Sequence, residues 1–400
     1  MGKGEFTDII DYLKISECFD IKKISILDQA EQFFKYICEK SRSAKNVLLS
    51  CLTIDEKGRG RDLLQILEQR IKRKQNTRIF LDKSRSMRNR SFIKELKERN
   101  LFNSVKFIDK TSLTILPHIL NEAISVYHDK IYIFDHEVCL SGANLGKVYF
   151  SNRIDRYWII KDKKFAESMA KKIFSQKIAL TANNSLKICD KFNLQKLTGL
   201  EARSKSIDVC PPKTKIFCFS ETHENKIFKI LLKANHKEIF LSTPYINFPS
   251  HHIKLLQKHD LSIFVSAPEN RSFQNFGYFG KIINQIYTYS TLKTQEYLPK
   301  AKIHEFSRPG HSFHTKGIWI FNEDYAVSVI GSSNYNCRSN KVDKEISWVA
   351  VTNDQILIAK WRNEIRNLYR DSCLKPISEF RTRKVHLIAI ILFFIFNKYI

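Results

Sequence analysis

The chain has 400 residues, 43% of them hydrophobic, which is enough to bury more than one core, and its length allows one to three domains. Lysine and arginine number 67 against 41 acidic residues, a formal charge of +26, and a field of that sign attracts nucleic acid, nucleotides or anionic lipid surfaces without choosing among them. Nine cysteines, an odd number with no C-x-x-C pair, exclude a disulfide framework and a zinc-ligand pattern and read as reduced core residues.

Residues 1–14 carry Glu5, Asp8 and Asp11 and no long apolar stretch, unlike a secretory signal or a transit peptide. Phe6 stands where a myristoylation signal needs a hydroxyl residue. The near-continuous apolar run 46–54 predicts a buried strand. Leu63, Leu64, Ile66, Leu67 and Ile71 predict a helix over 61–73, and 77–81 predicts a second strand. A basic loop follows, with Arg85, Arg88 and Arg90. The same order of parts returns later, as a strand at 238–243, a helical stretch at 252–258 and a strand at 261–266. Strand and helix in alternation, twice over, predict an α/β fold of two pseudo-symmetric lobes, each a mixed β-sheet flanked by helices.

Each half then carries a hairpin-like unit. The first runs His128-Asp129-Lys130 into 131–135 and ends on Ser141-Gly142-Ala143-Asn144; the second runs His314-Thr315-Lys316 into 317–321 and ends on Gly331-Ser332-Ser333-Asn334. An acid follows each asparagine by eleven residues, Asp155 after Asn144 and Glu345 after Asn334. In a strand, residues i and i+2 share a face, so His and Lys of each H-x-K would point into one cleft. Gly142 and Ser332 would leave room for a phosphate beside the backbone, and Asn144 and Asn334 can donate to its oxygens. A single histidine on an apolar strand is usually structural; two, each with Lys, Asn and acid in register, point to chemistry. Phosphodiester transfer needs a nucleophile, a proton donor for the leaving group and positive charge at the non-bridging oxygens. Two histidines meet the first two needs and Lys130, Lys316, Asn144 and Asn334 the third, so neither a metal nor a cofactor is called for. Asp155 and Glu345 would each orient a histidine by accepting its second ring proton.

Residues 161–214 are lysine-rich and without a motif, and Cys210-Pro211-Pro212 marks a break. The expected division is 1–180 as a first lobe with an N-terminal helical extension, 181–214 as a linker or variable insert, 215–376 as a second lobe, and 377–400 as a basic-apolar tail. In that tail Arg381, Arg383 and Lys384 precede an apolar run over 387–396. The run is shorter than the ~20 residues that span a bilayer as a helix, and its basic neighbours favour insertion at an anionic membrane surface.

The H-x-K-x-x-x-x-D spacing of His128, Lys130 and Asp135 resembles the signature of the phospholipase D superfamily, with Phe321 at the aspartate position of the second copy. Residues 140–145 (LSGANL), 149–153 (YFSNR) and 155–157 (DRY) resemble more closely the eukaryotic-type phosphatidylglycerophosphate synthases, as do Leu81-Asp82, Leu116-Pro117 with Asn121-Glu122, 243–247 (TPYIN), 266–269 (SAPE) and 313–317 (FHTKG). The resemblance implies two phospholipase D-like lobes with the active site at their interface. It implies CDP-diacylglycerol and glycerol 3-phosphate as substrates, a phosphatidyl-histidine intermediate and CMP as first product. His128 is assigned as nucleophile and His314 as acid/base, roles that pseudo-symmetry leaves exchangeable, with Lys130, Lys316 and Asp135 in the catalytic set. Arg153 and Arg156, and Arg85, Arg88 and Arg90, are candidates for substrate phosphate, although three loop arginines are as readily solvated surface. The family is typically mitochondrial, which implies a membrane of that organelle or a related one. Serine in place of glycerol 3-phosphate defines the nearest rival, a phosphatidylserine synthase. A nuclease of the same superfamily is the second, but it leaves the apolar tail unexplained and no nucleic-acid partner is expected. Acyl-chain preference and oligomeric state leave no trace in the sequence.

Overall fold

Apolar runs that predict buried strands in the sequence are buried strands in the computed structural model, which describes residues 2–109, 126–176, 214–233, 236–273 and 277–399. Two compact units result, one of Ile21–Ser151 and Tyr157–Pro212, the other of Met1–Asp20, Asn152–Arg156 and Lys213–Ile400. The chain opens with α1 (Gly2–Leu13) and β1 (Cys18–Ile21). Both were expected as an extension of the first lobe, but Ile9, Ile10 and Leu13 pack among Phe217, Ile227 and Leu231 in the core of the second unit. An amphipathic helix goes where an apolar surface is left for it, and sequence proximity does not decide that.

The first unit contains β2 (Ile24–Leu27), α2 (Ala30–Ser43), β3 (Asn46–Cys51), α3 (Arg59–Lys72) and β4 (Asn76–Asp82). It continues through α4 (Lys83–Arg88), α5 (Arg90–Glu98), β5 (Val105–Ile108), β6 (Ile131–Phe134) and β7 (Glu137–Ser141). After β8 (Arg153–Ile154), which belongs to the second unit, come β9 (Tyr157–Lys161) and α6 (Lys163–Phe174). The sheet order is β2-β9-β7-β6-β3-β4-β5. Strands β3, β4 and β5 run parallel and the other pairs antiparallel, so the sheet is mixed as expected. Helices α2 and α3 cover it, with Phe33, Leu63, Leu64 and Leu67 packed on Leu49, Ile79 and Tyr132.

The second unit builds the same thing from β10 (Thr214–Ser220), α7 (Glu224–Leu231), β11 (Glu238–Ser242), α8 (Ser250–Leu256) and β12 (Ser262–Ser266). Then follow α9 (Gly277–Tyr297), β13 (Lys302–Phe306), β14 (Ser312–Phe313), β15 (Gly317–Phe321), β16 (Ala326–Gly331) and α10 (Cys337–Lys341). The last elements are β17 (Ile346–Thr352), α11 (Gln355–Arg370), β18 (Ser372–Leu374), α12 (Ile377–Thr382) and α13 (Leu387–Phe396). Its sheet runs β1-β10-β17-β16-β15-β11-β12-β13-β18. With β1 and β18 set aside as added edges, the order matches that of the first unit strand for strand, and β11, β12 and β13 are again the parallel trio. The repeat predicted from the order of parts is a repeat of topology.

Five of the cysteines among the described residues are buried, in line with a core role, whereas Cys18 and Cys373 are exposed. Both stand on edge strands, where one side chain in two faces water. The linker expected at 181–214 falls, apart from Thr214, outside the described residues, as do Leu116-Pro117 and Asn121-Glu122.

Candidate active site

The second His-Lys set is held by a short two-stranded ribbon. Strand β14 pairs in parallel with β8, and the N–H of His314 donates to the carbonyl of Ile154 at 2.9 Å. H-x-K therefore precedes β15 and is not part of the strand, as the alternation argument had it. The two side chains meet all the same. The Nδ1 of His314 lies 2.7 Å from Oδ2 of Asp155, and the Nζ of Lys316 lies against the imidazole, 2.8 Å from Nδ1 and 3.0 Å from Nε2, and donates to the carbonyl of His314 at 2.9 Å. All three are buried. A carboxylate accepts, so Nδ1 carries a proton and Nε2 is the ring nitrogen left for proton exchange. The acid eleven residues beyond the first asparagine thus orients the histidine of the second motif.

Arg156 accounts for the placement of Asp155. Its guanidinium donates to both carboxylate oxygens of Glu364, at 3.1 and 2.8 Å, to the carbonyl of Val329 at 2.6 Å and to the hydroxyl of Ser328 at 2.9 Å. It also stacks 4.0 Å from the ring of Trp319, whose Nε1 donates to Glu364. Arg156 was a candidate for substrate phosphate, but its fork is committed to protein, and it works as a bolt that fixes the adjoining Asp155. Gly317 makes room for it, since a Cβ there would come within 2.3 Å of an Arg156 nitrogen. Neither Glu364 nor Trp319 was singled out in the sequence, because partners so distant along the chain, 208 residues for Glu364, leave no local pattern. Arg153 is half-buried and donates to Ser312, stitching the same ribbon.

Around the second motif, Gly331 packs where a Cβ would come within 2.5 Å of the carbonyl of Ile346. Ser332 bonds the backbone of Ile346 with both its N–H and its hydroxyl, so it anchors the loop to β17. The carbonyl of Asn334 accepts from Thr243, while its side-chain oxygen has no hydrogen-bond partner among the described residues. Glu345 is buried immediately before β17. Behind the loop stands Glu224, at the start of α7, which no motif marks. It accepts from Ser333 and, at 3.2 Å, from Asn340, and burial pushes its carboxyl up to about 7.

In the first unit, His128 is half-buried and Lys130 fully buried, the ammonium donating to the carbonyl of His128. Asp82 sets the approach to them: one oxygen caps α4 by accepting from Arg85, and the other accepts the N–H of Tyr127 at 2.8 Å. Asn144 is buried and bridges the N–H of Leu52 and the hydroxyl of Tyr149. Gly142 follows β7 and is buried beside it. Arg85, Arg88 and Arg90 are not on a loop. Asp82 caps α4 and Asn89 caps α5, so the first two lie in a short helix and the third opens the next; Arg85 is half-buried and the others exposed.

Asp135 was placed in the catalytic set and does not touch it. It sits in the turn after β6 with φ of 53° and accepts from the N–H groups of Lys45 and Asn46 and the side-chain amide of Asn46, at 2.9 to 3.1 Å. At about 3.3 Å per residue, β6 carries it on the order of 15 Å from Lys130.

These features define a class by fold: the chain has the phospholipase D-like α/β fold in two copies. The phosphatidylserine synthase of Haemophilus influenzae aligns over 99% of this chain and 100% of its own, with a TM-score of 0.76 at 17% identity. A polyphosphate kinase of Porphyromonas gingivalis aligns over 95% of this chain and 54% of its own, with a TM-score of 0.55 and 9% identity. No family model matches the sequence. Among curated proteins, a probable CDP-diacylglycerol–glycerol-3-phosphate 3-phosphatidyltransferase of Dictyostelium discoideum is 25% identical over 72% of this chain, and the Saccharomyces pastorianus enzyme of that name 24% identical over 67%. The aligned part is 59% and 64% of those two proteins, so the chain spans about three fifths of their length.

Proposed function

We propose that this protein transfers a phosphatidyl group from CDP-diacylglycerol to glycerol 3-phosphate at a membrane surface. The observation that carries the reading is the buried Asp155-His314-Lys316 constellation, which holds one imidazole with Nε2 ready for proton transfer. The names of its curated relatives supply the substrates. In the proposed cycle His314 enters as the imidazolium; the Nε2 of His128 attacks the phosphorus proximal to diacylglycerol, the bond to the CMP oxygen breaks, and His314 gives its Nε2 proton to the departing CMP. His314 then takes the proton from the primary hydroxyl of glycerol 3-phosphate, whose oxygen attacks the phosphatidyl-histidine and frees His128. Lys130, Lys316, Asn144 and Asn334 hold the non-bridging oxygens, and Glu345 serves His128 as Asp155 serves His314. Several curated relatives are named as mitochondrial, and we assign this chain to the membrane of that organelle or one derived from it.

The test is CMP release from CDP-diacylglycerol in mixed micelles containing EDTA, with glycerol 3-phosphate, serine or water as acceptor. Release should require glycerol 3-phosphate, survive the chelator and fall about 10⁴-fold in His128→Ala and in His314→Ala. Dependence on serine would move the chain to the reaction named for its structural neighbour, and no release with any acceptor would defeat the reading.

A further inference from the structure

Helix α13 is apolar on every side, with ten consecutive residues from Leu387 to Phe396 and no polar atom in a side chain. Such a helix is normally enclosed by protein or lipid. Here only one face is enclosed. Ala389 and Phe393, one turn apart, are buried against α9, in a cluster with Ile286 and Tyr287. The opposite face, formed by Leu387, Ile388, Ile391, Phe394 and Ile395, lies open, with Leu387 71% and Ile395 64% exposed. Two further large side chains, Tyr278 at 69% and Phe279 at 77%, project from the first turn of α9. Helix α13 begins two turns further along α9, where the N–H of His386 donates to Gln285. An apolar surface on the order of several hundred Å² is more than a soluble monomer ordinarily leaves in water.

The charge around this face selects its occupant. Residues 380–400 contain Arg381, Arg383, Lys384 and Lys398 and no acid. Arg383 is taken by Glu305 and Glu379, but Arg381, Lys384 and Lys398 are exposed at the two ends of α13. A second copy of the chain would set these cations against one another, whereas anionic head groups would meet them. At ~1.5 Å per residue α13 is about 15 Å long, too short to cross a hydrocarbon core of ~30 Å, and no helix among the described residues is long and apolar enough to do so.

The covered face leads to the site. Phe393 meets Tyr289 at 5.3 Å between ring centroids, and the cluster continues through Tyr287 to Tyr245, whose ring lies 5.2 Å from that of Tyr287 and 6.4 Å from that of His314. We propose that the open face of α13, with Tyr278 and Phe279, seats in the outer layer of an anionic lipid leaflet as a fixed shelf, so that lipid lies one aromatic cluster away from His314. The proposal rests on the lipid-substrate reading above for its purpose, and its test is separate.

Full-length protein is sedimented with vesicles of phosphatidylcholine alone or with one third phosphatidylglycerol. Wild type should partition at least tenfold more strongly onto the anionic vesicles than Phe394→Glu/Ile395→Glu does, and Phe279→Glu should lose severalfold. Both variants should keep the wild-type circular dichroism and, within twofold, CMP release from detergent-dispersed substrate. Phe394→Trp provides a second readout, since all four native tryptophans are fully buried: its emission should shift to the blue, and be quenched by brominated lipid, on anionic vesicles. Equal vesicle binding by wild type and the double variant would overturn the proposal. So would self-association of wild type that the double variant abolishes, with no vesicle binding by either. If CMP release fails with every acceptor while vesicle binding follows the shelf, the catalytic reading falls and the surface stands.

Discussion

The two units share one strand order, yet they end their His-Lys hairpins differently. In the first, Asp135 closes a tight turn and accepts the backbone N–H groups that open β3. In the second the turn is longer, Phe321 takes the aspartate position within β15, and Asn322 accepts the N–H of Lys237 just before β11, at 3.3 Å. A sequence signature can thus mix residues of two kinds. In both units the lysine ammonium donates to the carbonyl of its histidine, while the acid at the far end of the strand is a turn lock that an amide one residue later can replace.

That comparison can be broken at several points. The largest effect should come from Asp155→Asn, which keeps the shape but offers a donor where His314 needs an acceptor; kcat should fall about a thousandfold, with the thermal midpoint nearly unchanged. A loss under tenfold would mean that Asp155 does not set the imidazole. Removing the bolt should act on both fold and rate: Glu364→Ala leaves Arg156 buried with its ion pair gone and should cost about 3–5 kcal/mol in urea unfolding. The double variant Arg156→Met/Glu364→Leu should regain much of that stability yet stay slow, because Asp155 is no longer held. Full recovery of rate would reduce the pair to packing.

Glu224 has no buried counterpart at the start of α2, where the acid, Glu31, is part-exposed and pairs with Arg59. Its carboxyl is raised from 4.5 to about 7 by burial, so between those values the folded state holds a proton that the unfolded state has lost. Stability contributed by this group is therefore full below pH ~4.5 and falls as pH rises through about 7, by up to about 3 kcal/mol. Denaturant midpoints of wild type and Glu224→Gln should diverge across that window, the variant showing the flatter profile; parallel profiles would contradict the assignment. The smallest effect is expected from Asp135→Ala, about 1–2 kcal/mol in stability and less than threefold in kcat. A thousandfold loss of rate there would return Asp135 to the catalytic set.

Much of this was legible because hydrophobic period is local. The expected segments 46–54, 61–73 and 77–81 correspond to β3, α3 and β4, and 238–243, 252–258 and 261–266 to β11, α8 and β12, with ends displaced by a few residues. The His-Lys-Asn-acid spacing was legible for a similar reason, since it repeats. What could not be read were the long-range choices: that 152–156 joins the second unit, that Arg156 spends its charge on Glu364, and that α1 packs away from the lobe it precedes. Composition gave Arg156 a phosphate role because arginine suits phosphate, but the same fork suits a buried carboxylate equally well. Only the fold chooses between them.

The most direct test of the account is to find the covalent intermediate. Protein mixed with CDP-diacylglycerol in the absence of acceptor is quenched within one turnover, digested and examined by mass spectrometry for a phosphatidyl group on histidine. The account predicts the adduct on His128, absent in His128→Ala and discharged when glycerol 3-phosphate is added before the quench. An adduct on His314, or rapid CMP release with no histidine adduct, would contradict it.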